Sequence, residues 1–445
     1  MSTPAKPFVF VTLQGPDDGG DFGPNTSGTK TGGIQEALDY AHKHCRDVYI
    51  VGGRGGTHEG EGIPDNIYTL DETLRVPWSQ DFKVDSGNPL LYYRKESGHA
   101  IEIDSQMNCR YKFGLIASNS CDAVVCIKPK SPGPDDMKVV TACVFDFSAI
   151  VTGHPDADAL LIDSSEGMIV NSKIFAEETN TIKCGVHLTD NGGAGQWISN
   201  NQIEVMFGNQ MHSKGDCTGL QLGDAGSAKI VHNRFDMSFH APRGAHFDPE
   251  KEHLPSTAER LVTLENFTPP NAVGADIHAQ RNMLTLSFFG LRAPGTDIIF
   301  QPDARDNTVL AMTLPNGVTN NATSPTNRII PNWPVGFDVT TPEFPASGEP
   351  LVNATSYAVQ IIILTAGEID RWTITDAGST PQTTPYNLSL VDNLMRPPRP
   401  MQPPRQSESE TITGGLFPGQ TLILKPGEQI SFDYSKPATW RWMAL

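Results

Sequence analysis

Basic residues are scarce: 33 Lys and Arg stand against 51 Asp and Glu, a formal net charge of −18 with histidine neutral. Nucleic acid is excluded as a main ligand, because phosphate backbones are held by clustered cations that displace counterions. Long apolar runs are also missing. No stretch of 18 or more apolar residues offers a membrane span, and Met1 to Pro7 is not followed by the apolar run and small-residue site of a secretory leader. The expectation is synthesis in the cytoplasm, as a virion component or a protein released by lysis, with no membrane partner. The seven cysteines (Cys45, Cys109, Cys121, Cys126, Cys143, Cys184, Cys217) are odd in number and form no Cys-x-x-Cys. That usage fits reduced, buried thiols better than a disulfide framework or a zinc site. There is no His-Glu-x-x-His and no EF-hand loop, and the glycine-rich Val51 to Gly56 lacks the Lys-Ser/Thr of a phosphate loop. Neither a metal nor any other cofactor is expected.

What the chain does have is turns. With 41 Gly and 35 Pro in 445 residues and only 19% charged residues, it is turn-rich without being low-complexity. Its length exceeds one ordinary domain. Helical spacing is clear in one place, where Ile34, Ala37, Leu38, Ala41 and Cys45 share a face and Thr31 can cap the start. A single helix ahead of a long run of short strands suits an end-cap over an open stack.

Self-similarity then sets the architecture. Ala159 to Gly167, Gly185 to Gly193 and Gly219 to Gly226 align as an apolar strand followed by a polar, Gly-rich turn. The strands that follow place Ile169, Ile198 and Ile230 in one register, Ser172, Asn201 and Asn233 in a second, and Ile174, Ile203 and Phe235 in a third. Weaker copies begin at Ala100, Val124, Leu261, Ile298 and Asn307, so about seven coils fit residues 100 to 325. Residues that recur in this way stack at strand spacing, about 4.8 Å, in a parallel β-solenoid. The bend pairs Asn200/Asn201 and His232/Asn233 are then expected to hydrogen-bond from coil to coil.

The block Gly15 to Pro24, the helix Gly33 to Leu38, the strand Val48 to Ile50 and Tyr68 to Pro77 resemble the N-terminal cap and first coil of pectate-lyase-like β-helix proteins. That superfamily includes polysaccharide lyases, glycoside hydrolases, epimerases and phage tailspikes. The resemblance, over roughly residues 8 to 325, implies a right-handed parallel β-helix with an N-terminal capping helix; the strands Ala358 to Leu364, Arg371 to Thr375, Gln420 to Leu424 and Gln429 to Tyr434 read as a small C-terminal β-sandwich, so the whole chain is expected to be all-β. The segments expected are a cap and first coil over 1–99, coils over 100–328, a Pro-rich linker over 329–350 and a sandwich over 351–445. Polygalacturonase Asn-Thr-Asp and Gly-His-Gly signatures and the pectate lyase Arg-x-Pro-x-x-Arg are missing, so neither activity is implied. Gly348 to Asn353, Pro426 to Ser431 and Pro437 to Trp442 resemble a β domain of phage structural proteins. Arg396 to Arg405 reads as an exposed polyproline-like loop.

Chemistry is expected where outward side chains of stacked strands form rows that a glycan can lie along. Leu161, His187, Gln221 and Thr263 make one such row, and Asp163, Thr189, Gly223 and Glu265 a second. Glu204 beside Asp236 on adjacent coils is the candidate acid pair of a glycosidase. In the loop after this coil, His240, Arg243 and His246 could serve a lyase, Arg holding a uronate while a base takes its proton. Glu204, Asp236, His240 and Arg243 are thus the candidate catalytic residues. His187, Gln221, Asp163, Glu265 and His246 are the candidate substrate contacts, although a lone outward histidine has a plainer reading as a surface or interface residue. The partner expected is a polysaccharide, bound by a homotrimer whose flat faces pair. A non-catalytic virion spike or decoration protein, docking through its C-terminal domain, is the alternative.

Overall fold

The computed structural model describes residues 8–52, 67–133, 136–181, 183–209, 217–240, 245–247, 261–263, 272–289, 295–312, 314, 317–331, 340–355, 358–375, 410–413 and 416–444. The chain divides into two units, residues 1–323 and 324–445.

The first unit is a parallel β-helix. A nine-stranded parallel sheet runs from Leu74–Val76 to Val318–Asn320 and has one strand per coil. A six-stranded sheet from Ser79–Gln80 to Ile230–Val231 forms a second face. The third and longest sheet begins at Phe8–Val11 and Asp47–Ile50 and continues, coil by coil, through Lys83–Ser86 to Thr308–Ala311. Ile169 pairs with Ile198 and Ile198 with Ile230, so the aligned isoleucines do lie above one another. Ile174, Ile203, Phe235, Leu284 and Val309 form a parallel inward stack. All eight of these side chains are fully buried. Each contributes roughly 1.5–3 kcal/mol of apolar burial.

From residue 100 onward the nine-stranded sheet has eight strands rather than about seven, and the copy at Leu261 is not one of them. Leu261–Thr263 pairs antiparallel with Ala245–Phe247. The rung after Cys217–Leu222 is Ala272–Ile277, which places Asp276 rather than Thr263 after Gln221. Alternation of apolar and polar residues looks the same in a coil strand and in a hairpin arm, so local pattern alone misassigns this segment.

The bends explain why the coils stay in register. Asn171, Asn200, His232, Arg281 and Asp306 all adopt left-handed φ of 53–59°. The residue that follows each one is buried, and its side-chain oxygen reaches back to the preceding coil. Asn201 Oδ1 accepts the Ser172 amide at 2.9 Å, Asn233 Oδ1 accepts the Asn201 amide at 3.1 Å, Asn282 Oδ1 accepts the Asn233 amide at 3.0 Å, and Asn307 Oδ1 accepts the Asn282 amide at 3.0 Å. Each of these asparagines also donates through Nδ2 to carbonyls of the bend, as Asn233 does to Ile198 at 3.0 Å. A buried amide left unpaired costs more than an ordinary hydrogen bond gains, so the ladder satisfies what the bend would otherwise expose to the core.

Beside the ladder, three glycines let rings approach the backbone. A Cβ on Gly185, Gly219 or Gly274 would meet Phe207, Phe239 or Phe288 at 2.6, 2.3 and 2.3 Å respectively, so only glycine fits. Helix α1, Ile34–Lys43, packs over Phe8–Val11, Asp47–Ile50 and Leu74–Val76, burying Ile34, Ala37, Leu38 and Ala41. It covers the first strands of the stack, the place where unpaired apolar edges need cover. Thr31 Oγ1 accepts the Gln35 amide at 3.2 Å, although the residue at the helix boundary is Gly33. Among the described residues no helix is long and apolar enough to cross a membrane.

The second unit is a β-sandwich. Antiparallel strands Leu351–Val352, Gln429–Lys436, Glu368–Thr375 and Glu410–Thr413 form one sheet, and Thr421–Leu424, Val359–Thr365 and Thr439–Ala444 the other. Val359, Ile361, Ile363, Trp372, Phe432, Trp440 and Trp442 fill the space between them. The Pro-rich stretch is partly structural here. Phe344 stacks within 4.6 Å of Phe432, Trp440 Nε1 donates to the Pro342 carbonyl at 2.9 Å and Tyr434 Oη to that of Pro345 at 2.9 Å. The polyproline segment 396–405 lies outside the described residues.

Candidate functional site

The outward face of the long sheet carries a groove of about 350 Å³, lined by Asp146, Phe175, Ala176, Glu177, Glu204, Val205, Met206, Asp236 and Ser238. Alternation along each strand puts the residues between the buried stacks on this face. The register is Asp146 against Phe175, Phe175 against Glu204, and Glu204 against Asp236, on four successive coils. Glu204 and Asp236 are exposed neighbours one rung apart, about 4.8 Å on the backbone. Asp146 stands two rungs from Glu204.

A β-bulge deepens the groove. Ala176 pairs with Val205 and Thr179 with Phe207, so Glu177 and Glu178 together oppose Met206 alone. The extra residue breaks the ladder at this point, and Glu177, exposed by the alternation of its strand, lines the groove. Four carboxylates and one half-buried phenylalanine ring therefore line one depression, and among the described residues no basic side chain does. Asp146, Phe175 and Glu177 were not among the expected site residues. The alternation Phe145-Asp146-Phe147 matches Ile203-Glu204-Val205 and is the signal that would have found the first of them.

The outward row on the nine-stranded sheet is a closed ionic network. His187 pairs with Leu161 on one side and Gln221 on the other, as the alignment predicts. Its Nδ1 lies 3.0 Å from Asp158 Oδ2 and its Nε2 3.2 Å from Asp224 Oδ1. Gln221 Nε2 donates to the same Asp224 oxygen at 3.0 Å, and Thr189 Oγ1 to Asp224 Oδ2 at 2.5 Å. Lys183 Nζ sits 2.8 Å from Asp158 Oδ1. Asp163 is engaged too, paired with Lys128 at 2.8 Å. His187, Gln221 and Asp163 are thus already engaged with neighbouring side chains. Asp158 and Asp224, which hold His187, stand outside the aligned rows, one at a strand start and one in a turn, and repeat alignment does not single them out.

Burial pulls the His187 pKa down, but hydrogen bonds from Asp158 and Asp224 outweigh it and push it up to about 9. The contact with His187 in turn holds Asp224 below the usual carboxylate range, helped by Thr189 and the charge of His278. Burial acts to raise Asp158, yet His187 and Lys183 keep it low as well. A histidine raised above its free value of 6.5 stabilises the fold fully below that pH and loses the contribution as pH climbs through about 9. Conformational stability is expected to fall by about 3 kcal/mol over this window. His187→Gln should flatten the fall, as read by urea unfolding across the window; a flat wild-type profile would remove the clamp.

The remaining expected residues lie beyond this geometry. His240 closes the strand Arg234–His240, in register with Phe289, and His246 lies in the antiparallel arm Ala245–Phe247. The side chains of both lie outside the described residues, as do Arg243 and Glu265 entirely. No protein-family model, curated protein or solved structure matches this chain.

Proposed function

We propose that the chain binds a polysaccharide along the groove of its long sheet and hydrolyses it with Glu204 and Asp236. The observation that carries this reading is the bulged groove itself, where carboxylates from four successive coils meet beside the Phe175 ring. A glycosidase needs one carboxyl to protonate the leaving oxygen and a second to attack or to activate water. Adjacent rungs supply two such groups side by side. Apolar ring faces and carboxylates that accept hydroxyl hydrogen bonds are what a sugar chain meets in such a cleft.

The charge of the lining narrows the substrate. A lyase acting on uronates needs a cation to hold the substrate carboxylate, and among the described residues the groove lining offers none. A neutral glycan avoids the repulsion that four carboxylates exert on a uronan or a sulfated chain. Incubation with a panel of neutral and acidic polysaccharides should release reducing ends from a neutral member and no ultraviolet-absorbing unsaturated uronate from any. Absorbance from a uronan would replace hydrolysis with elimination.

The continuous ladder and the separate C-terminal sandwich support a second reading, a non-catalytic spike of the kind that phage structural proteins provide, with the sandwich docking to a virion partner. It predicts neither cleavage nor glycan retention. The resemblance to tailspikes also carries the homotrimer, three copies of the 48.3-kDa chain, which light scattering measures directly; a monomer mass would discard it.

A further inference from the structure

Two coils near the start of the stack carry cysteine at the bend where later coils carry asparagine. Cys109 and Cys143 each follow a left-handed residue, Asn108 and Ala142, and each precedes a register pair, Arg110 against Val144. Adjacent rungs lie about 4.8 Å apart, inside the Cα separation of about 4.4–6.8 Å that a disulfide spans. Both side chains are buried, and the Cys109 amide donates to Cys143 Sγ at 3.5 Å. Both are free thiols, each turned back toward a carbonyl of its own bend: Cys109 to Met107 at 3.3 Å and Cys143 to Thr141 at 3.2 Å. The two sulfurs therefore sit on the same side of consecutive coils.

We propose that Cys109 and Cys143 are a disulfide-forming pair that staples two coils of the β-helix when the protein meets a small disulfide such as oxidised glutathione. The Cys109 thiolate attacks one glutathione sulfur, and the other glutathione leaves as a thiolate. Cys143 then gives up its proton to solvent and attacks the Cys109 sulfur of the mixed disulfide, releasing the second glutathione. The protein loses two electrons and two thiol protons, and one glutathione disulfide becomes two thiols. Attack begins at Cys109 because the contact with Cys143 draws its thiol down, while the same contact and burial hold Cys143 up. Cys126 stands between Glu102 and Leu161, Cys184 pairs in register with Asp158 and Thr218, and Cys45 and Cys121 are exposed.

Sulfur at this bend also serves as a plain ladder acceptor, the role Ser172 Oγ plays for the Cys143 amide at 3.2 Å. The two roles separate cleanly by experiment. The full-length protein is incubated with oxidised glutathione in mild urea, alkylated, digested and analysed by mass spectrometry. The expected result is a linked Cys109–Cys143 peptide, with glutathione carried by exposed Cys45 and Cys121. The unfolding midpoint should rise by about 5 °C and return to its starting value with dithiothreitol. Cys143→Ser keeps an oxygen acceptor, so under reducing conditions its midpoint should match the wild type, and oxidation should no longer raise it. Alkylation of both Cys109 and Cys143 in a sample whose Cys45 and Cys121 carry glutathione would overturn the proposal. So would a midpoint rise that persists in Cys143→Ser.

Discussion

Glu204→Gln and Asp236→Asn are each expected to lower the proposed glycosidic cleavage about 10³-fold, because each removes an ionisable group while leaving the groove its shape. Both side chains are exposed on adjacent rungs, where like charges facing one another destabilise the sheet. The unfolding midpoint of either variant should therefore stay level or rise slightly. Activity and stability moving apart is the mark of a catalytic role, since a structural role would lower both. One-rung spacing also matches the short carboxyl separation, about 5–5.5 Å, of retaining enzymes. Proton NMR of the first product is expected to show the anomeric configuration of the substrate. Inversion would move the acid pair to Asp146 and Glu204, two rungs apart and closer to the wider separation of about 6.5–9.5 Å.

Asn233→Ala is expected to bring a large loss of stability. Its amide oxygen accepts from Asn201 N at 3.1 Å and Asn201 Nδ2 at 3.0 Å. Its nitrogen donates to the Ile198 and Val231 carbonyls and to Asn282 Oδ1. Truncation leaves these buried partners unpaired on two neighbouring coils and opens a small cavity, at a cost of about 3–5 kcal/mol. Asn233→Ser should cost clearly less, because Ser172 fills the same position two turns earlier in the ladder and still accepts an amide hydrogen bond. Denaturant unfolding of the two variants measures the difference. Equal losses would mean that the ladder is a by-product of the stacking rather than one of its supports.

Much of the β-helix was legible because stacking forces like residues to recur at nearly constant intervals. Ile169, Ile198 and Ile230 align in sequence for the same reason that they touch in space. The asparagine ladder was visible as far as Asn233, and then the interval breaks: its next member, Asn282, lies 49 residues on, beyond the excursion that contains Ala245–Phe247 and Leu261–Thr263. An insertion between coils destroys periodicity without disturbing the stack. The Glu204 and Asp236 pairing was readable from register alone. The groove around it was not, since the bulge at Glu177 and Glu178 appears only when one strand is laid against the next. His187 shows the converse. Its place in the row was readable, but Asp158 and Asp224, which satisfy both of its nitrogens, belong to different registers.

Affinity electrophoresis through gels cast with neutral polysaccharides tests the groove most directly, because it needs neither turnover nor knowledge of the product. At least one neutral polysaccharide should retard the wild-type protein, and Ser238→Trp, which fills the groove and leaves both acids in the sequence, should migrate freely in that gel. Equal retardation of the two proteins would place glycan binding elsewhere on the molecule, and free migration of the wild type through every gel would leave the groove without a glycan.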